Sequence, residues 1–245
     1  MRDPGTGAGE DSPRKGLFLV LEGVEGVGKT TQARLLLEWM EGLGLPAHLA
    51  REPGGTPAGE AIREILLVRE GLDIQAETEL LLMLAARAAF VREVVRPLLE
   101  SGGIMLADRF ETSTFAYQGF GRGLPLEELR RLNRFATGGL RPDLVLVLDL
   151  AWQEGRARQE REGKAADRIE SAGDAFLARV RDGYRQLAQE ASDVVLVDGS
   201  ASPQRVQEEI RSTLRARFPE TFGLPRCSEE DDPASPADDD SEDLP

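Results

Sequence analysis

Short apolar runs recur along the chain at Leu17–Leu21, Ala47–Ala50, Ile104–Ala107, Leu144–Leu148 and Val194–Val197. Their apolar character is continuous rather than alternating, the pattern of parallel-sheet strands covered on both faces. Between them, helical periodicity predicts helices at about 29–42, 57–69, 76–100, 125–138, 152–190 (with a break near Gly163) and 202–216. Thr56-Pro57 and Ser202-Pro203 mark two helix starts, because proline is tolerated in a first turn. Strand and helix alternate, which with right-handed crossovers predicts a doubly wound α/β domain. No internal repeat and no dividing linker interrupts residues 16–217, so one domain is expected there.

The 245 residues are 40% hydrophobic, enough for a core although aromatic residues make up only 5%. The net charge of −14 is unevenly placed: Cys227–Pro245 holds nine acidic residues and no basic one, leaving −5 for the rest. Such a segment cannot bury apolar area, so 218–245 is expected to be an acidic, disordered tail, either solubilising or open to a basic partner. Residues 1–15 lack the apolar centre of a signal peptide and read as a disordered N-terminal extension. No run approaches the ~20 apolar residues of a membrane helix. No nucleic-acid footprint stands out either. Cys227 is the sole cysteine. An intramolecular disulfide is therefore excluded, which suits a reducing, cytoplasmic setting.

Chemistry enters with Gly23-Val24-Glu25-Gly26-Val27-Gly28-Lys29-Thr30, between the run Leu17–Leu21 and the helical stretch Thr31–Met40. This is the phosphate-loop pattern in its strand-to-helix context. Glycines let backbone N–H groups turn in around phosphate oxygens, and the helix presents its positive end to the same anion. Lys29 can reach the β- and γ-phosphates and Thr30 can ligate Mg²⁺, whereas a glycine-rich turn that binds nothing is the plain alternative. Arg51-Glu52-Pro53-Gly54-Gly55-Thr56 ends the second strand, and Asp108-Arg109-Phe110 ends the third. Ligands of open parallel sheets sit beyond the carboxyl ends of strands, so both segments are expected on the rim of the phosphate loop. There Arg51 and Arg109 can hold a second phosphate, and Asp108 can orient Mg²⁺ through water. Otherwise Arg51 is a surface residue of a turn, and Asp108 and Arg109 cap the helix that follows.

Together these segments resemble the bacterial thymidylate kinases, P-loop nucleoside monophosphate kinases. The resemblance covers about residues 16–215, in order and at compatible spacing. It also rests on Glu77-Thr78-Glu79-Leu80-Leu81, Ala85-Ala86-Arg87, Tyr117-Gln118 and Asp167-Arg168-Ile169-Glu170. It implies a three-layer, P-loop NTPase-type α/β fold, with a five-stranded parallel sheet, helices on both faces and an arginine-bearing lid over about 152–168. The implied activity is transfer of the ATP γ-phosphate to dTMP, giving dTDP for dTTP synthesis, with Mg²⁺ required and a homodimer as the usual assembly. Position by position, it implies that Gly23 to Thr31 bind ATP and that Arg51 and Arg109 hold the dTMP phosphate. Glu25 would contact the 3′-hydroxyl region or the metal shell. Arg87 and Thr114 would read the thymine edge, while Tyr117 would pack on the deoxyribose with Gln118 behind it.

One departure lies in the base pocket. The family commonly stacks a Phe on thymine four residues before this arginine; here the position is Met83, whose thioether can also pack on a ring. Phe90 lies near the same face and is either a substitute or core. In the lid segment Trp152–Arg168, Arg158 and Arg161 share a helix face, whereas Arg156 points elsewhere. Lys164 and Arg168 add to its positive charge. The segment is either a solvated charged helix or the source of a catalytic arginine. Gly26 stands where another branch of the family carries a loop arginine, which favours Arg158 or Arg161 as the charge on the transferring phosphoryl.

A phosphate-monoester acceptor has a second pKa near ~6, so it is already an anionic nucleophile and needs no general base. That agrees with a lone histidine, His48, inside the second apolar run. Lys29, Asp108, Arg109, Arg158 and Arg161 are therefore the candidate catalytic residues. Rival readings are a P-loop kinase of dUMP or of a deoxynucleoside, and a nucleotide switch. A guanine-reading Asn-Lys-x-Asp element, which a GTPase switch needs, is absent.

Overall fold

The computed structural model describes residues 16–69, 71–163 and 167–223. Five strands form one sheet: β1 (Leu17–Glu22), β2 (Ala47–Arg51), β3 (Ile104–Asp108), β4 (Leu144–Asp149) and β5 (Val194–Asp198). All pairings are parallel, and the order is β2-β3-β1-β4-β5. Residues Phe18 to Leu21 of β1 and Ile104 to Ala107 of β3 are buried, as their unbroken apolar runs predict. The edge strands β2 and β5 are only partly covered, and His48 lies on an exposed face of β2.

The helices are α1 (Lys29–Gly42), α2 (Pro57–Arg63), α3 (Ala76–Phe90), α4 (Arg96–Glu100), α5 (Glu111–Thr114), α6 (Leu126–Thr137), α7 (Trp152–Arg161), α8 (Asp174–Glu190), α9 (Pro203–Arg217) and α10 (Pro219–Phe222). π-helical segments extend α2 over Glu64–Val68, join α3 to α4 over Val91–Val95, and continue α5 over Phe115–Gly121. Helix α1 packs on β1, β2 and β3, and α8 on β4 and β5. Thr56 accepts the Gly59 N–H at 2.9 Å as the N-cap of α2, with Pro57 in the first turn as expected.

Three stretches differ from the periodicity. The helical segment 111–121 is absent from the expected set because its threonines, aromatics and glycines are poor helix formers. Its helicity comes from packing: Phe115, Ala116, Tyr117 and Gln118 are buried, and a Cβ at Gly121 would lie 2.5 Å from the Phe176 ring of α8. The break expected near Gly163 is longer than a kink. Helix α7 ends at Arg161 and α8 starts at Asp174, with a 3₁₀ turn at Glu170–Ala172 between them. Finally, the stretch expected as a tail from 218 opens with α10, in which Phe222 meets Phe218 edge-on at 6.4 Å. Residues 1–15, Lys164 and 224–245 lie outside the described residues.

The chain divides into two compact units, one through Arg211 and one from Ser212, and the sheet and both cavities below belong to the first. No helix among the described residues is long and apolar enough to cross a membrane.

Candidate active site

The sheet order puts the carboxyl ends of β1, β3 and β2 side by side. Leu21 stands beside Asp108, and Asp108 beside Arg51. Three segments far apart in sequence thus open onto one rim, at the carboxyl ends of the parallel strands where ligands of such sheets bind.

From β1 the chain turns through Gly23–Gly28 into α1. Gly26 has φ +72°, and a Cβ there would come within 2.1 Å of the Gly155 carbonyl oxygen. A Cβ on Gly155 would in turn lie 2.3 Å from the Glu25 carbonyl oxygen. Loop and α7 therefore touch backbone to backbone, and α7 leaves no room for an arginine at position 26. Lys29 is buried and folds back on its own loop, its Nζ donating to the Gly23 carbonyl at 3.1 Å and the Val24 carbonyl at 3.0 Å, with Glu25 Oε1 at 3.4 Å. Burial, followed by the Arg109 charge, lowers the Lys29 pKa, while Glu25, Asp108 and Glu22 oppose that shift. Thr30 is exposed, and its hydroxyl donates to Asp108 Oδ2 at 3.3 Å.

Beyond β3, Arg109 has φ +74°, the single positive φ of a non-glycine among the described residues. Glu22, fully buried at the end of β1, organises this turn. Its Oε1 accepts from the Phe110 N–H at 2.9 Å and the Ser113 N–H at 3.0 Å. Its Oε2 accepts from Ser113 Oγ at 2.5 Å and Tyr184 Oη at 2.9 Å. The Arg109 N–H meanwhile donates to Leu21 O at 2.9 Å. Such an anchored turn overcomes the local strain of a left-handed arginine. The Arg109 guanidinium donates to Ser113 Oγ at 2.9 Å, Tyr184 Oη at 3.1 Å, Tyr117 Oη at 3.2 Å and Glu25 Oε1. Burial opposes the charge on Arg109, but Glu25, both tyrosines and Glu22 outweigh it and raise the pKa. Glu25 shifts the other way: burial favours its neutral form, and Arg109 and Lys29 overcome this to hold the carboxyl well below its ordinary range.

Glu25, Lys29, Thr30, Asp108, Arg109, Ser113 and Tyr117 line a cavity of about 420 Å³, with Glu22 and Tyr184 outside its lining. Of the residues singled out in the sequence, it brings together Glu25, Lys29, Thr30, Arg51, Met83, Arg87, Asp108, Arg109, Thr114, Tyr117 and Gln118. Arg51 is exposed at its edge and donates to Glu60 Oε2 at 3.1 Å. Met83 lines the cavity; Phe90 is buried outside its lining. Arg87 is buried, and four groups hold it. Its Nε donates to Glu52 at 2.9 and 3.1 Å, its Nη1 to Thr114 Oγ1 at 2.9 Å and Asn133 Oδ1 at 2.8 Å, and its Nη2 to the Phe110 carbonyl at 3.0 Å. The five guanidinium hydrogens thus leave one Nη2 hydrogen uncommitted.

A second cavity, of about 400 Å³, lies on the other side of the phosphate loop. Gly26, Val27, Gly28 and Thr31 line it together with Arg158 and Arg161, facing Gly199, Ala201 and Pro203 beyond β5. Arg158 Nη2 donates to the Gly199 carbonyl at 3.2 Å. Arg156 turns away to Asp174 at 3.0 Å, and Arg168 reaches neither cavity lining. Gly23 and Val24 lie behind the loop, where their carbonyls hold Lys29.

Sequence reasoning assigned no role to Glu22, Glu52, Arg63, Tyr184 or the wall Gly199–Pro203. Glu22 had a signal, a carboxylate ending a strand that is otherwise apolar. The Gly199–Pro203 wall had the same carboxyl-end rule that located Arg51. Arg63, which lines the first cavity and donates to the Pro53 carbonyl at 3.0 Å, looks like any charged helix residue.

Glu52 carries a pH signature. Burial pushes its pKa from 4.5 up to about 7, against the pull of Arg87. Between those values the folded chain keeps a proton that the unfolded chain has released. This group's stabilisation is therefore complete below about 4.5 and fades as pH rises through about 7. Urea midpoints measured across that window should fall more for the native chain than for Glu52→Gln. Equal slopes would refute the assignment.

A family model described as thymidylate kinase matches residues 21–210. Similar relatives include the thymidylate kinase of Pseudomonas putida strain GB-1, 46% identical over 200 residues that cover 81% of this chain and 95% of the relative. The thymidylate kinase of Synechococcus sp. strain WH7803 is 49% identical over 206 residues, covering 82% of this chain and 95% of the relative. The crystal structure of thymidylate kinase from Ehrlichia chaffeensis aligns with a TM-score of 0.66 at 29% identity, over 81% of this chain and 98% of that one. The phosphate loop, both strand-end arginines and the walls of both cavities lie inside the matched span, and the chain belongs to the thymidylate kinase family.

Proposed function

We propose that this chain phosphorylates dTMP to dTDP with the γ-phosphate of Mg-ATP, binding the donor in the second cavity and the acceptor in the first. The observation that carries this reading is that one phosphate loop walls both cavities, with Lys29 and Thr30 on one side and Gly26–Gly28 on the other. A donor lying along the loop from the second cavity presents its terminal phosphate to the first. There Arg109 and Arg51 hold the acceptor phosphate, displacing Glu25 and Glu60 from their guanidinium groups. An oxygen of the acceptor phosphate bonds to the γ-phosphorus as the bond to the β-phosphate oxygen breaks, and that oxygen keeps the electron pair as ADP leaves. Lys29 exchanges its loop carbonyls for phosphate oxygens and neutralises the charge in transit. Arg158 and Arg161 supply positive charge from the donor side.

The exposed Thr30 hydroxyl and the Asp108 carboxylate beside it are hard oxygen donors that fit Mg²⁺. Among the described residues no cluster of three metal-ligating side chains is present. This suits an ion carried largely by substrate phosphates and water. Bound there, Mg²⁺ would neutralise phosphate charge. Glu25, already paired with Lys29 and Arg109, is the further candidate near that shell. Homodimerisation belongs to the same proposal and is read directly by light scattering.

The test is coupled ADP release with Mg-ATP and a panel of dTMP, dUMP, UMP, dCMP and thymidine. Strong preference for dTMP is expected. Equal rates with dUMP would keep the kinase and remove the thymine assignment. Release that ignores the acceptor would overturn the reading in favour of a nucleotide switch.

A further inference from the structure

The first cavity is assembled from separate segments, among them Met83 on α3, Gln118 after α5, Leu67 after α2, and Asp167 and Ile169 after α7. Behind this wall lies Glu79 of α3, fully buried and outside the cavity lining. Its Oε1 accepts from Gln118 Nε2 at 2.8 Å and Arg122 Nε at 3.2 Å. Its Oε2 accepts from Arg122 Nη2 at 3.1 Å and Arg168 Nη2 at 2.6 Å. Arg168 also donates through Nε to the Leu66 carbonyl at 2.9 Å. Arg168 sits between Asp167 and Ile169, and Leu66 precedes Leu67. One carboxylate therefore holds every segment named above.

We propose that Glu79 is a positioning residue that sets the acceptor-base pocket and fixes the orientation of the Gln118 amide, so that a pyrimidine with an N3–H is preferred over cytosine. An ionised carboxylate only accepts hydrogen bonds, so the Gln118 amide must turn its NH₂ towards Glu79. The carbonyl oxygen is then the end of Gln118 left for the base. It accepts from the N3–H of thymine or uracil and faces lone pair to lone pair against N3 of cytosine. Burial alone would favour a neutral Glu79, but its bonds from Arg122, Gln118 and Arg168 outweigh that and lower its pKa. The orientation therefore persists at neutral pH. A glutamine in place of Glu79 offers both donor and acceptor, and the Gln118 amide can then flip.

This inference rests on the acceptor assignment above, and the experiment separates the two. In Glu79→Gln, kcat/KM for dTMP should fall by about tenfold while dCMP gains relative to dTMP, with the KM for ATP unchanged. Arg168→Lys keeps the charge of a partly exposed residue but loses its fork. It should raise the KM for dTMP by about threefold and leave the dTMP-to-dCMP ratio in place. Native ratios and KM values in both variants would overturn the inference, as would an equal rise in the KM for ATP. Should Glu79→Gln not fold, Arg168→Lys decides by its dTMP KM. A native chain without dTMP-dependent turnover would defeat the functional reading instead.

Discussion

Lys29→Ala is expected to lower kcat by about a thousandfold while the chain stays folded. The lysine is a buried cation held by two carbonyls of its own loop and by Glu25. In the resting fold these contacts keep the ammonium in the wall of the first cavity. During transfer they are exchanged for phosphate oxygens, an interaction worth most in the transition state. Stability should change little, because removing a buried charge also removes its desolvation penalty, and Arg109 still balances Glu25. Steady-state ADP release checks the rate, and thermal unfolding checks the fold. Near-native turnover in a folded variant would dismiss Lys29 from the chemistry and with it the reading of the loop.

The second large effect belongs to Arg87. Its guanidinium satisfies Glu52, Thr114, Asn133 and the Phe110 carbonyl, and it also lies 5.1 Å from the Phe110 ring centre. Arg87→Met fills much of the volume but leaves those acceptors without a donor. Above about pH 7, where Glu52 has given up its proton, breaking this buried ion pair from one side costs about 3–5 kcal/mol, which at roughly 2–4 °C per kcal/mol lowers the unfolding midpoint by roughly 6–20 °C. Dimension and charge of the pocket wall change together, so the KM for dTMP should also rise. Adding Glu52→Gln to Arg87→Met should recover part of the stability, since the second substitution removes the stranded carboxylate. A midpoint within about 2 °C of the native one would show that this network carries little of the fold. Full additivity of the two substitutions would show that they do not act as a pair.

Arg87 also shows where sequence reading stops. On its helix it follows a run of leucines and alanines that gives no sign of its partners, and the family resemblance alone pointed to the base pocket. Its burial depends on Glu52 and Asn133, which lie 35 and 46 positions away in the chain. Glu79 is a similar case, an acidic residue near a helix start whose three partners, Gln118, Arg122 and Arg168, come from two other segments. Helix 111–121 is a third, because its buried side chains and its packing against α8 override poor local propensity.

Other features needed no tertiary information. The apolar runs located all five strands, and in β1, β3 and β4 they are continuous because a parallel strand covered on both faces has little place for a polar side chain. The phosphate loop was legible because backbone wrapping of an anion demands glycines at set intervals, followed by a lysine and a hydroxyl. Arg51 and Arg109 were placed on its rim because parallel strands all end on the same side. The sequence by itself thus determined the layer architecture, the phosphate loop and the charged rim, all set by local pattern and strand direction. Only the tertiary structure decided how those parts are held: Glu22 beneath Arg109, Glu52 against Arg87, Glu79 behind Gln118, and α7 against Gly26. Each is a close contact between segments distant in the chain. Each is fixed by the need to pair a buried charge or to fit two backbones together, which no local pattern encodes.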